Sequence, residues 1–172
     1  PTSAPKTGRM SEAYKKGYNW GKTNTSNAAK AGGQTLKAAF APKTMLLGAG
    51  LTVGMKIVQQ VRNGEKVDIG KAVKYLGTGE FIGGYVGGGL GAAAGSAVGA
   101  FMSGGIPVIG PVIGAFMPAA FALVGGSIGA QMGNGIATGR RPSLKEAWAS
   151  IDKGDLAGRA IGSTVGMMIG SA

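Results

Sequence analysis

The sequence predicts an all-α protein built on a membrane helical hairpin, and three observations predict it. Fifty-nine consecutive residues, from Phe81 to Gly139, carry no charge. A cluster of breakers (Gly104, Gly105, Pro107, Gly110 and Pro111) divides that stretch into two apolar halves. Glycine then recurs at every fourth residue along both halves, a helical spacing that leaves one face of each helix bare.

Composition narrows the alternatives. Glycine supplies 35 of 172 residues, about three times the usual share of ~7%. A disordered chain combines low hydrophobicity with high charge. Here 44% of residues are hydrophobic and 15% charged, so the glycines belong to apolar segments. The chain has no Cys and no His, which excludes disulfides, Cys/His zinc sites and histidine acid–base catalysis. No cofactor or metal is expected, and no enzymatic activity. No cleavable secretory signal is visible at the polar N-terminus.

The elements follow in order. Residues 1–43 form a basic polar arm, with eight Lys or Arg against the single acid Glu12 and with aromatics at Tyr14, Tyr18 and Trp20. Residues 44–101 make a first unit: an apolar helix that turns polar at Lys56, a short amphipathic stretch, then the apolar run 81–101. At 1.5 Å per residue that run spans ~31 Å, close to the ~30 Å hydrocarbon core of a bilayer. Residues 102–111 are a Gly/Pro turn. Residues 112–172 make a second unit, opening on an apolar helix of similar length with Pro118 inside it, where a kink is expected. Basic residues flank the hairpin on both ends, Lys71 and Lys74 before, Arg140, Arg141 and Lys145 after, which predicts flanks on the cytoplasmic side. The shorter apolar pieces, 44–55 and 160–172, are too short to cross and are expected at the interface or against neighbours.

The two units are alike at an offset of 75 residues. Gly64/Gly139, Ala72/Ala147, Gly83/Gly158, Gly87/Gly162, Gly91/Gly166 and Gly95/Gly170 match, as do Asp68/Ser143 as helix N-caps. This predicts an internal duplication.

Three glycine series carry the packing argument: Gly83, Gly87, Gly91, Gly95 and Gly99; Gly125, Gly129 and Gly133; Gly158, Gly162, Gly166 and Gly170. Residues four apart stack on one face, and missing side chains let backbones approach closely, the chief source of helix association in lipid. On these series the chain resembles the broad class of glycine-zipper membrane proteins. That resemblance implies glycine-zipper helices that self-associate in membranes, and no particular activity.

Competing motifs are weak. Gly17–Thr23 is one residue short of a phosphate-binding loop and lacks the preceding strand. Gly48, Gly50 and Gly54 superficially fit a dinucleotide loop, but the same spacing recurs at 123–129 inside an apolar helix. No carboxylate lies within the apolar runs, so an ion relay lacks its usual residues. In the arm and flanks, Lys15, Lys16, Tyr18, Trp20, Lys22, Arg140 and Arg141 are the candidates for contact with anionic lipid or nucleic acid.

The expected function is therefore a non-enzymatic, oligomerising membrane protein. It would be a structural component of a large bacterial or viral assembly, such as a virion protein that delivers a genome. Its expected partners are membrane lipid, further copies or other subunits, and nucleic acid through the arm. Its expected location is the inner membrane or the virion. The alternatives are a pore-forming, bacteriocin-like toxin and a soluble scaffold subunit packed by its glycine faces.

Overall fold

The computed structural model describes residues 7–104, 110–140, 143–154, 157–159 and 161–162. Every described element is helical: α1 (Thr7–Ala39), α2 (Pro42–Arg62), α3 (Ile69–Lys74), a 3₁₀ turn (Tyr75–Gly77), α4 (Gly79–Ser103), α5 (Gly110–Ala137) and α6 (Leu144–Ala149). The expected Gly/Pro turn falls largely outside the described residues, between the end of α4 and the start of α5.

The basic arm is one 33-residue helix. It stops where Ala41 turns extended, with φ −64° and ψ 138°. The residue before a proline is pushed out of the helical region, and Pro42 then opens α2 at a position where a missing N–H costs nothing. The break thus lies two residues before the expected boundary at 43.

Two elbows, between α2 and α3 and between α5 and α6, share one design. Gly64 and Gly139 adopt φ of +70° and +73°, a left-handed conformation that glycine alone takes without strain. Across each, the amides of Glu65 and Arg140 reach back 2.8 Å to the carbonyls of Gln60 and Gly135, closing a Schellman motif. Asp68 then caps α3 by accepting from the Lys71 amide at 2.9 Å, and Ser143 caps α6 by accepting from the Glu146 amide at 3.1 Å. Ala72 and Ala147, at 1% and 2% exposure, sit beneath them and are the buried hydrophobic residues among those described.

α4 and α5 run antiparallel in contact along their whole length, and α1 lies antiparallel on another side of α4. α5 continues through Pro118. This architecture has almost no side-chain core. The chain exposes 11967 Å² at 17.0 kDa, whereas a compact monomer of that mass exposes about 7,700 Å². Large apolar side chains stand in the open along α2, Leu46, Leu47, Leu51 and Met55 among them.

Candidate membrane-inserting hairpin

The α4–α5 contact is made by backbone. A Cβ built on Gly83 would land on the carbonyl oxygen of Gly129, and one on Gly129 would land on the carbonyl of Gly83. Gly87 and Gly125 are paired in the same reciprocal way, as are Gly79 and Gly133. Continuing toward the turn, Gly91 faces the carbonyl of Phe121, Gly95 that of Met117, and a Cβ on Gly99 would lie 3.2 Å from the Cα of Gly114. From Gly79 to Gly95 the α5 partner retreats by four residues for each four that α4 advances, so one antiparallel register holds over more than four turns. Hydrogens on each glycine Cα therefore point at carbonyl oxygens across the interface, weak hydrogen bonds worth roughly 0.5–1 kcal/mol each.

Magnitudes show why the contact must be close. α4 contains nine glycines, each of which weakens a helix by about 1 kcal/mol relative to alanine. Alone such a helix would be marginal. The loss is offset where backbones meet at distances no side chain would permit.

A second row, which the sequence reading passed over, reinforces the first. A Cβ on Gly84 would lie 3.2 Å from the Cβ of Ala130, and one on Gly88 would lie 3.5 Å from the carbonyl oxygen of Ala122. The signal was present, since Gly84 and Gly88 carry the same four-residue spacing one position along. The third predicted series behaves differently. A Cβ on Gly158 or Gly162 meets no atom of the described residues within 4 Å, and Gly166 and Gly170 lie outside those residues.

α1 docks on α4 by small and polar groups. Gly32 fits against Ala93 and Ala97, Thr35 Oγ1 donates to Ser96 Oγ at 2.8 Å, and Tyr85 Oη donates to the Ala39 carbonyl. Trp20 was expected to face lipid or nucleic acid. Its ring instead stacks edge-on against Phe101 at 5.4 Å and its Nε1–H donates to the Gly104 carbonyl at 3.3 Å. The residue remains 45% exposed. Beside it, Asn24 is buried at 5% exposure against Gly104.

At 100° per residue these contact residues occupy an arc of about 120° on α1, and Lys15, Lys16, Lys22, Lys30 and Lys37 occupy an opposite arc of similar width. All five lysines are exposed, as is Tyr18. Arg140 is exposed just beyond the second elbow, and Arg141 lies outside the described residues.

Polar groups gather at the base of α4. Tyr75 donates to Glu80 Oε1 at 2.9 Å, and Lys56 Nζ sits 4.0 Å over the Tyr75 ring. Burial, then the hydrogen bond and the charge of Glu80, push the Tyr75 phenol up to about 12. Because the folded value exceeds the unfolded one, this contact stabilises below pH 10 and is lost as pH rises through 12. In a spectrophotometric titration Tyr75 should ionise near pH 12, and Glu80→Gln should bring its midpoint down.

The described residues hold two helices long and apolar enough to cross a membrane, Gly79–Ser103 and Val112–Ala137. Within their most apolar windows only 11% and 0% of residues are buried inside the chain, unlike the core helices of a soluble protein. No family model, curated protein or solved structure matches this chain. Its function is therefore argued from its own geometry.

Proposed function

We propose that α4 and α5 insert into a membrane as a glycine-zipper hairpin, and that the protein is a non-enzymatic, oligomerising structural component of a larger bacterial or viral assembly. The observation that carries this reading is a pair of helices, without charge from Phe81 to Ala137, locked backbone to backbone, that leave their apolar surface uncovered. A bilayer or neighbouring subunits would cover it. The hairpin flanks lie on the cytoplasmic side in this reading, since the basic residues at both ends favour it.

The elbows support the duplication. Their positive-φ glycines, N-caps, six-residue helices and buried alanines all recur at the 75-residue offset.

Insertion sets a condition on α1. Thr35 bonds to Ser96, well inside α4, so Lys30 and Lys37 lie alongside the span of the hairpin. A lysine at the centre of a bilayer costs roughly 2.5–3.5 kcal/mol. The docked α1 therefore belongs to the water-exposed form, and in the inserted form it swings out about the Ala41–Pro42 break. Its lysine face then lies on anionic headgroups, each lysine near the surface contributing about 1 kcal/mol.

Flotation with vesicles tests this. The chain should float with anionic vesicles without releasing an entrapped dye, and Lys→Gln changes at positions 15, 16, 22, 30 and 37 should remove the preference for anionic lipid. A chain that stays in the aqueous phase without detergent refutes the membrane reading in favour of a soluble scaffold. Dye release favours a pore former, and binding to nucleic acid but not vesicles moves the arm to that partner.

A further inference from the structure

The outer face of α2 lines an open apolar groove of about 1100 Å³. Leu47, Leu51, Met55 and Val58 form its apolar wall and are between 60% and 73% exposed. Gly50 and Gly54 lie between them, and a Cβ on either would meet nothing within 4 Å. So large an apolar stripe marks a surface that something covers. Charge says what kind of molecule. Among the described residues the groove is lined by three cations, Lys56, Arg62 and Arg159, and by no acid. Lys56 and Arg62 stand with Gln59 toward the C-terminal end of α2, while Lys43 at the other end is not part of the lining.

We propose that this groove binds one anionic phospholipid, with acyl chains along Leu47 to Val58 and the phosphate held by Lys56 and Arg62. The proposal deepens the membrane reading above and rests on it for the source of the lipid. Leu47 and Val58 are eleven residues apart, about 16 Å of helix, which matches the ~15 Å of hydrocarbon in one leaflet. Bare backbone at Gly50 and Gly54 lets a chain lie close, as small residues do for a neighbouring helix. An arginine forks onto phosphate oxygens, and a lysine adds a point charge beside it. A second copy of α2 fits less well, because that helix would bring only further cations, Lys43, Lys56 and Arg62, and no acid.

The fold prepares both ends of the site. Gln60 is buried and spends its amide on Asp68, accepting from the Asp68 N–H at 2.7 Å and donating to the Asp68 carbonyl at 3.2 Å. This sets the roll of α2 and keeps that polar group out of the groove. Lys56 Nζ sits 4.0 Å over the Tyr75 ring, and Tyr75 donates to Glu80, so the cationic end is tied to the base of α4. A Cβ on Gly48 would lie 3.1 Å from the Tyr85 ring, so the apolar end runs back along α4. The headgroup end thus lies at the base of the hairpin, where its basic flank Lys71 and Lys74 also lies. Nearby acids are engaged elsewhere. Glu65, which shares an adjoining cleft with Lys56, pairs with Lys71 at 3.2 Å, and Glu80 accepts from Tyr75 at 2.9 Å.

Lipid quenching tests this in the full chain, which has no cysteine of its own. Leu46 is 77% exposed and lines the groove at its apolar end, so Leu46→Cys carries a bimane label there. The labelled chain is titrated in uncharged detergent micelles with phosphatidylglycerol or phosphatidylcholine, each brominated on its acyl chains. Half-quenching should need about tenfold less phosphatidylglycerol, on the scale set by two cations near a charged headgroup. The same label on Leu90→Cys, exposed on α4 outside the groove, should not tell the two lipids apart. Lys56→Gln with Arg62→Gln should abolish the preference, and Arg62→Lys alone should keep most of it. Gly54→Leu, which enters open space, should abolish it by filling the groove while the circular dichroism spectrum is kept. Equal quenching by the two lipids at position 46, no quenching because protein covers the face, or a preference that survives the double glutamine change would each overturn the proposal. Flotation of the same chains separates the two claims: a chain that floats without lipid preference fails this inference alone, and one that keeps the preference in micelles without floating fails the membrane reading alone.

Discussion

Replacing Gly87 by leucine should split the hairpin. The new Cβ would overlap the Gly125 carbonyl group, and no rotamer can relieve a clash with backbone, so α4 and α5 must separate along several turns. The expected loss is about 3 kcal/mol or more, at or beyond the upper end of ordinary overpacking, because the neighbour that must move is itself helix. Gly129→Leu should do the same from the other side by striking the Gly83 carbonyl. By contrast, Gly17→Ala and Gly21→Ala meet open space on α1 and should stabilise that helix by up to ~1 kcal/mol each. Denaturant titration in detergent, followed by circular dichroism, reads all four. Equal behaviour of the two classes would refute the role given to the glycine rows.

The second large effect distinguishes a bilayer from water around the hairpin. Leu90 is 54% exposed on α4, within the span. If lipid covers that face, Leu90→Lys should cost roughly 2.5–3.5 kcal/mol of insertion, a drop in vesicle partitioning of about 70- to 400-fold. If water covers it, a surface change of this kind alters stability by no more than ~0.5 kcal/mol. A steep fall in partitioning with nearly unchanged soluble-phase melting therefore marks the bilayer, and nearly unchanged values of both mark water. Unchanged partitioning would remove the bilayer from the account.

Much of this was legible in the residues. Apolar length and the lack of charge located α4 and α5, and the four-residue glycine spacing identified which faces meet. Asp68 and Ser143 stand where helix caps belong, and they cap. What escaped was α1. Helices are recognised by an apolar stripe, and α1 has none: its contact arc is Gly32, Thr35, Asn24 and alanines, which pack by being small or by forming single hydrogen bonds. The lysines on its other side read as a solvated arm for the same reason. Trp20 was legible only as an aromatic in a basic segment; its contacts with Phe101 and Gly104, about eighty residues or more away in sequence, come from tertiary packing. The end of the second unit was read in sequence as a third glycine series; Gly158 and Gly162 meet no described atom within 4 Å, and Gly166 and Gly170 lie outside the described residues.

The reciprocal glycine contacts also decide what the hairpin can do mechanically. A groove that repeats every turn fixes how near two helices lie, yet distinguishes poorly between one longitudinal setting and the next, ~5.4 Å away. After such a step Gly83 would rest on Gly125 or Gly133 in place of Gly129, with the same bare surface beneath it. Only the irregular places, where Phe121 and Met117 replace glycine on α5, tell the settings apart. The hairpin is thus stiff sideways and indexed lengthwise, like a detent whose notches are one helical turn apart.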